Sequence, residues 1–265
     1  MNKWRLLETG QGDCRYNMAL DEALFQAYDS ASSLPVLRIY GWHPSAFSIG
    51  LFQDPLKELD LEACRGLNIG FVRRMSGGGI VFHDKELTYS IVCSERDIQS
   101  PCFAKETYRY LCAFLIRAYR AMGLEAGFSL LHDKTPKSGW VCFRSREKYD
   151  IVIGDKKIGG NAQRRSRGLI FQHGSIPLCP CPEKYDLLLK GKNPRASFRP
   201  YSLSQAAGRE ITFEEVKYNI IDSFQKSFSV GFIRDALNPA EDSLLKKLLA
   251  CKYGTDRWNL YADID

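Results

Sequence analysis

The sequence predicts an α+β fold, a mixed and mainly antiparallel β-sheet with flanking helices. Three observations carry that expectation. Short apolar runs, several paired as hairpins, crowd the middle of the chain; longer runs with helical periodicity are interspersed and dominate the end; and the regular strand–helix alternation of a doubly wound parallel sheet is missing.

Taken in order, "WRLLET" reads as a short strand and "NMALDEALFQAY" as a helix, with Met18, Leu20, Ala23, Leu24 and Ala27 on one stripe and Asn17 as its cap. "PVLRIYGW" and "AFSIGLF" are strands parted by the turn "HPS". "KELDLEACRGL" is helical and Gly66 offers its stop. "NIGFVRR" is a strand that runs into three glycines, after which "IVFH" and "ELTYSIVC" are extended again. The clearest helix is "FAKETYRYLCAFLIRAYRAMGL", where Tyr108, Leu111, Leu115, Ala118 and Met122 share a face and Gly123 marks the end. "YDIVIGDKKIGG" is a hairpin turning at Gly154 and Asp155, and "GLIFQHGSIPL" is a further strand. Helices follow at "TFEEVKYNIIDSFQKSF", where Thr212 and Glu215 have capping-box spacing, and at "NPAEDSLLKKLLACKY". No linker splits the chain, so residues 1–265 are read as one domain with a C-terminal helical part from about 210 to 265.

Composition narrows the function classes. With 45% hydrophobic and 26% charged residues the chain is neither disordered nor fibrous. A net charge of +6 favours anionic partners, which an acidic carrier protein satisfies without any need for nucleic acid. No apolar run approaches the roughly 18 residues of a membrane span, and "MNKWRLLETG" lacks the apolar core of a signal peptide; no membrane association and a cytoplasmic location are expected. The nine cysteines are odd in number and sit mostly in apolar periodic stretches, which predicts reduced thiols. Cys179 and Cys181 lack the spacing of a zinc pair, so no metal site is expected.

Two stretches carry chemistry. "RRMSGGGIVFHD" sets Arg73, Arg74 and Ser76 before Gly77, Gly78 and Gly79, and His83 after them. Three bare residues in a row answer a need for free dihedrals or for the close approach of a ligand. Neither a phosphate-binding G-K-[ST] ending nor a G-x-G-x-x-G pattern is present, which disfavours the common nucleotide cradles. Strand alternation lets only one of the two arginines face a site. The second stretch, "CFRSREKYDIVIGDKKIGGNAQRRSRG", places Lys157 just ahead of Gly159, Gly160 and Ala162, where a lysine can reach a cleft while the backbone stays close to a ligand.

"RRMSGGGIVFHD", "KIGGNAQ" and "FQHGSIPL", with "NMALDEAL" near the start and "KYGTDRWN" near the end, together resemble the biotin/lipoate protein ligase superfamily, specifically the lipoate-protein ligases and the octanoyltransferases related to them. The discriminating position is Cys142. Cysteine-dependent octanoyltransferases carry a Cys-Phe pair there, and this chain has "VCF", fifteen residues ahead of Lys157. Asp150 matches the aspartate of the ligase pattern instead, and "GGNAQ" stands where a Gly-Ser-Ala run is commoner, so the stretch shares features of both branches.

The resemblance implies an octanoyltransferase that moves an octanoyl group from octanoyl-acyl carrier protein to a lysine of a lipoyl-accepting protein, such as a glycine-cleavage H protein or the E2 lipoyl domain of a 2-oxoacid dehydrogenase. Cys142 would be the nucleophile, and Lys157 would favour its thiolate and stabilise charge on the thioester oxygen. Arg73, Arg74, Ser76 and Gly77 to Gly79 would wall the acyl tunnel; Gly159, Gly160 and Ala162 would line it; His83 and His173 would line or buttress it. No cofactor is implied. The alternative is an ATP-dependent lipoate-protein ligase, which needs ATP and Mg to make lipoyl-AMP and in some cases a separate accessory subunit, since no large accessory domain is evident here. A third reading is a non-catalytic acyl-binding relative, against which Cys142 and Lys157 both speak. Arg144, Arg146, Arg164 and Arg165 receive no role.

Overall fold

A computed structural model of the chain describes residues 2–98, 103–129, 149–190 and 200–263. It opens with β1 (Asn2–Gly12), longer than the six residues expected, then α1 (Cys14–Ala27), β2 (Val36–Trp42) and β3 (Ala46–Ile49). Two short helices, α2 (Pro55–Glu58) and α3 (Leu61–Gly66), precede β4 (Gly70–Arg73), β5 (Val81–His83) and β6 (Glu86–Ser94). The long α4 (Ala104–Ala121) is followed by β7 (Ala126–Phe128), β8 (Ile151–Ile153), β9 (Lys156–Lys157), β10 (Gly160–Ser166) and β11 (Leu169–Pro177). Beyond them lie α5 (Leu203–Ala207), α6 (Phe213–Phe228), β12 (Val230–Arg234), α7 (Pro239–Leu248), a π-helical turn over Leu249–Tyr253, and α8 (Asp256–Tyr261).

Six strands form the main sheet in the order β10-β11-β6-β2-β1-β12. Pairing is antiparallel from β10 through β2 and parallel from β2 through β1 to β12. A small sheet β4-β3-β5 mixes both senses, and β7-β8-β9 is antiparallel. The mixed, mainly antiparallel class predicted from sequence is therefore the class observed.

β2 is buried at every position because helices cover both faces of the sheet. On one face Leu37 and Ile39, with Trp4 and Leu6, meet Leu111 and Leu115 of α4 and Phe224 of α6. On the other, Val36 and Tyr40, with Leu7, meet Met18, Leu20 and Leu24 of α1 and Leu245 of α7. Successive residues of one strand thus feed opposite cores, as the pleat requires. Arg38 interrupts this run at full burial, compensated by Asp21 Oδ1 at 2.7 Å and Asn17 Oδ1 at 2.8 Å.

Several terminators differ from expectation. Asp13, not Asn17, caps α1, accepting from the amides of Arg15 and Tyr16. Asn17 is buried inside the helix, where its Nδ2 donates to Gly12 O and Gly41 O; a buried amide with partners on two strands is a tether, not a cap. The segment after Asp54 is two helices, since Asp60 accepts from Ala63 N and starts a second one. Asn68, at φ 54°, and not Gly66, makes the left-handed stop. Thr212 caps α6, but Glu215 turns to Arg209 at 2.5 Å and does not close the box; Asn238 and Glu241 close one at α7. The C-terminal part, read as helical, also contributes β12, the edge strand beside β1.

Candidate active site

The two arginines that open the glycine loop part company. Arg73 ends β4 and aims away from the central cleft: its guanidinium donates to the carbonyls of Leu51 (2.8 Å), Gln53 (2.7 Å), Leu260 (2.8 Å) and Trp258 (3.0 Å). Trp258 Nε1 and Asn259 Oδ1 in turn bond the Arg73 backbone. Arg74 points the other way. Its NH1 donates to Ser48 O at 2.7 Å and Ser48 Oγ at 2.8 Å, and its NH2 to Gly77 O at 3.1 Å and Gly79 O at 2.9 Å. The loop is thus wrapped around its own arginine, with carbonyls turned inward. Gly78 adopts φ +101°, and its carbonyl lies where a Cβ on Gly50 would come within 1.9 Å, so Gly50 and Gly78 are pressed backbone to backbone. Leu51 N to Ser76 O and Arg74 N to Ile49 O close the junction.

Between this loop and the β10–β11 hairpin lies a narrow cleft. Met18, Trp42, Ser48, Arg74, Val81, His83 and Thr88 line one part, and Gly160, Asn161, Ala162, His173, Gly174 and Ser175 the other. Of the residues expected at the site, Arg74, His83, Gly160, Ala162 and His173 therefore meet there. Ser76 stands one hydrogen bond behind, its Oγ 2.7 Å from His173 Nε2. Gly77, Gly78 and Gly79 form the wrap around Arg74, while Arg73 is separated from the cleft and serves as a tie to α8.

The two histidines are held differently. His83 stacks on Trp42, ring centroids 3.7 Å apart, with Nδ1 2.7 Å from Glu86 Oε1 and Nε2 2.6 Å from Ser48 Oγ. Glu86 can only accept, so Nδ1 carries the hydrogen; Ser48 accepts from Arg74 and donates its own hydrogen to Nε2. Thr88 and Ser175 also donate to Glu86, which satisfies the buried carboxylate. Burial first, and then the charge of Arg74, holds His173 well below its ordinary 6.5, so its ring is neutral. Its Nδ1 is 3.9 Å from Asp21 Oδ2, too far for a hydrogen bond, and Asp21 is engaged by Arg38, Tyr40 and Ser90.

Lys157 lies beyond the lining, on β9, with its Nζ 2.8 Å from Asp150 Oδ2 and both side chains under 9% exposed. Gly159, at φ +71°, turns the chain from there into β10; a Cβ at that position would sit 2.2 Å from Ser175 O. Cys142, Arg144 and Arg146 fall outside the described residues. Arg164 donates to Met75 O at 2.8 Å and so braces the glycine loop, and Arg165 pairs with Glu95 at the surface. Four described cysteines are poor nucleophiles: burial pushes Cys14 and Cys112 up to about 12 and Cys64 to about 11, and raises Cys93 as well. Residues missed in the sequence are Trp42, Ser48, Glu86, Thr88, Asn161 and Ser175. The His83–Glu86 spacing and the quoted runs "KIGGNAQ" and "FQHGSIPL", which hold Asn161 and Ser175, were the local signals available; Trp42, Ser48 and Thr88 reach the cleft only through strand pairing.

The family model of the lipoyl protein ligase A/B catalytic domain matches residues 13–225. Octanoyltransferase LipM of Kyrpidia tusciae is 37% identical, over 98% of this chain and 99% of that protein. Octanoyltransferase LipM of Halalkalibacterium halodurans is 35% identical over 98% of this chain and 99% of its own. Among solved structures, lipoate-protein ligase A bound with ATP superposes with a TM-score of 0.83 at 28% identity, covering 98% of this chain and 99% of that one. The structure of a bi-partite lipoate protein ligase and its E2 lipoyl domain from Thermoplasma acidophilum gives 0.82 at 25% identity, over 98% and 97%.

Proposed function

The chain belongs to the lipoyl protein ligase A/B catalytic domain family, and from that premise we infer that it is an octanoyltransferase of protein lipoylation, the activity for which its relatives at 35% and 37% identity are named. In this reading the octanoyl group arrives on acyl carrier protein and leaves on a lysine of a lipoyl-accepting protein, either a glycine-cleavage H protein or an E2 lipoyl domain. Cys142 loses its proton and adds to the thioester carbonyl carbon; the new C–S bond forms, the carrier's C–S bond breaks, and the departing thiolate takes up a proton. The acceptor lysine then adds to the acyl-enzyme, a C–N bond replaces the bond to Cys142, and the amine's proton returns to the thiol. The acyl group is activated on arrival, so neither step calls for ATP. We place the reaction in the cytoplasm; among the described residues no helix is long and apolar enough to cross a membrane.

The near-full-length identity to two proteins named octanoyltransferase LipM carries this reading, and Lys157 is the residue it singles out to assist Cys142. An ammonium is held in a buried pair with Asp150 on the short strand that turns through Gly159 into the cleft wall. On exchanging Asp150 for the Cys142 thiolate, that ammonium would raise the reactive fraction of a thiol whose ordinary pKa is about 8.5.

The test is incubation with octanoyl-acyl carrier protein in the absence of ATP, followed by intact mass spectrometry under denaturing conditions. An octanoyl adduct is expected on the wild type and none on Cys142→Ser, and Lys157→Ala should form it far more slowly. If no adduct forms, and ATP with free lipoate instead modifies an acceptor domain, the chain is a ligase. If neither combination transfers an acyl group, it binds acyl chains without catalysis.

A further inference from the structure

An acceptor lysine sheds two protons on its way to an amide. At neutral pH it is an ammonium, with an ordinary pKa of about 10.4, so one proton leaves before the nitrogen can attack and the other as the C–N bond forms. The leaving thiol takes the second. The first requires a base in the cleft, and Lys157, spent as a cation on Asp150, is not that base.

Ala46 and Ser48 of β3 pair in register with His83 and Val81 of β5. Side chains at matched positions of neighbouring strands stand on the same face, and alternation sends the residues between them to the other. Phe47 and Phe82 accordingly pack into a separate core with Ile49 and Ile80, while Ser48, Val81 and His83 line the cleft. On that face a hydroxyl, an imidazole and a carboxylate stand in a row: Ser48 Oγ is 2.6 Å from His83 Nε2, and His83 Nδ1 is 2.7 Å from Glu86 Oε1. Glu86 accepts the Nδ1 hydrogen, which leaves the lone pair of Nε2 to accept the hydrogen of Ser48. Hydroxyl, base and orienting acid follow one another in the order by which acyl-transfer enzymes move protons. Ser175 ties the row to the end of the cleft that carries Lys157. Its Oγ donates to Glu86 Oε2 at 2.6 Å, its register partner is Gly160, and a Cβ on Gly159 would lie 2.2 Å from its carbonyl oxygen.

We propose that Ser48 and His83 form a proton relay that deprotonates the acceptor lysine, with Glu86 as the positioning residue that orients the imidazole. This rests on the octanoyltransferase reading. An N–H of the ammonium donates to Ser48 Oγ; as that N–H bond breaks, the hydroxyl hydrogen of Ser48 passes to His83 Nε2 and the serine keeps the hydrogen from the amine. What remains is a neutral amine, ready to attack, and an imidazolium facing the Glu86 carboxylate, which gives its proton to water once the amide has left. Arg74 assists, because its NH1 lies 2.8 Å from Ser48 Oγ and a fixed cation beside the incoming nitrogen favours the uncharged amine. His173 does not compete for the proton, since burial holds it well below 6.5. The sequence gives His83 a lining role only; the structure supplies the hydroxyl and the carboxylate on either side of it.

A change of nucleophile separates the proton from the rest of the site. Octanoyl-enzyme is made with octanoyl-acyl carrier protein, freed of carrier, and mixed in single turnover with an apo E2 lipoyl domain or with hydroxylamine, which is uncharged at neutral pH and loses no proton before it attacks. His83→Gln, whose amide oxygen can still accept from Ser48, should slow transfer to the lipoyl-domain lysine about 100-fold and change the hydroxylamine reaction less than about threefold. Ser48→Ala should show the same split, and stands in should His83→Gln fail to fold. Transfer to the lysine at the wild-type rate in either variant overturns the relay. Equal losses with both nucleophiles also overturn it, since damaged packing slows the two alike. If the wild type forms no octanoyl-enzyme, the octanoyltransferase reading falls; octanoyl-AMP then replaces the carrier as acyl donor, and the same split between nucleophiles judges the relay. No transfer from either donor overturns both.

Discussion

The two walls of the cleft are built on opposite plans. On the glycine-loop side the polar groups face into the wall: the carbonyls of Ser48, Gly77 and Gly79 converge on Arg74, and those of Leu51, Gln53, Trp258 and Leu260 on Arg73. On the β10–β11 side the wall is bare or neutral: Gly160, Ala162 and Gly174 are small, and His173 and Ser175 are engaged by Ser76 and Glu86. The wall that looks most charged in the sequence therefore turns its charge inward, and the plainer wall is shaped by small side chains.

Breaking the shaped wall should have the largest effect. Arg74→Ala leaves one buried carbonyl, of Ser48, and two partly buried ones, of Gly77 and Gly79, without their donor, at about 1–3 kcal/mol each where water cannot replace it. A loss of about 4 kcal/mol in urea unfolding, with acyl-enzyme formation abolished, is expected. Gly50→Ala places a Cβ 1.9 Å from Gly78 O, a backbone atom that cannot rotate aside; about 3 kcal/mol should be lost in the same measurement.

A subtler perturbation acts through the brace behind this wall. Glu58 accepts from Gln53 Nε2 at 2.8 Å, and Gln53 Oε1 accepts from Gly50 N at 3.0 Å. Burial lifts the Glu58 carboxyl from 4.5 to about 7. Because the folded value is raised, its contribution to stability is fully present below pH 4.5 and is lost as pH rises through about 7. Glu58→Gln should remove that dependence and leave the variant about 2 kcal/mol more stable than wild type at pH 8, as read from unfolding midpoints across pH. The smallest effect sharpens the contrast. Gly77→Ala meets open space and should cost under about 0.5 kcal/mol, in contrast to Gly50→Ala.

Much of the fold was legible in the alternation of "VLRIYGW" and "ELTYSIVC" and in the helical face of α4, because burial on a pleat or a helix imposes its period directly on the sequence. The helix starts were misread where two polar residues compete: Asp13 and Asn17 are both good caps, and only the tertiary partners Gly12, Gly41 and Arg38 decide which is a tether. The site was half legible. His83, His173, Arg74 and the Gly160–Ala162 run lie inside the quoted stretches, yet strand alternation said only that one arginine faces the cleft and could not say which. Ser48 and Thr88 carry no local mark, since they reach His83 and Trp42 only through strand pairing.

The tie between Arg73 and α8 sets a schedule. The loop at residues 73–79 is made early in synthesis, but the carbonyl of Trp258, which receives Arg73 Nε, follows 185 positions later. At a ribosomal pace of about 5–20 residues per second, the loop spends roughly ten seconds or more without that support. During that interval the glycine-loop wall lacks its outer fastening, and a nascent chain bearing every residue of the "RRMSGGG" motif still has an unfinished cleft.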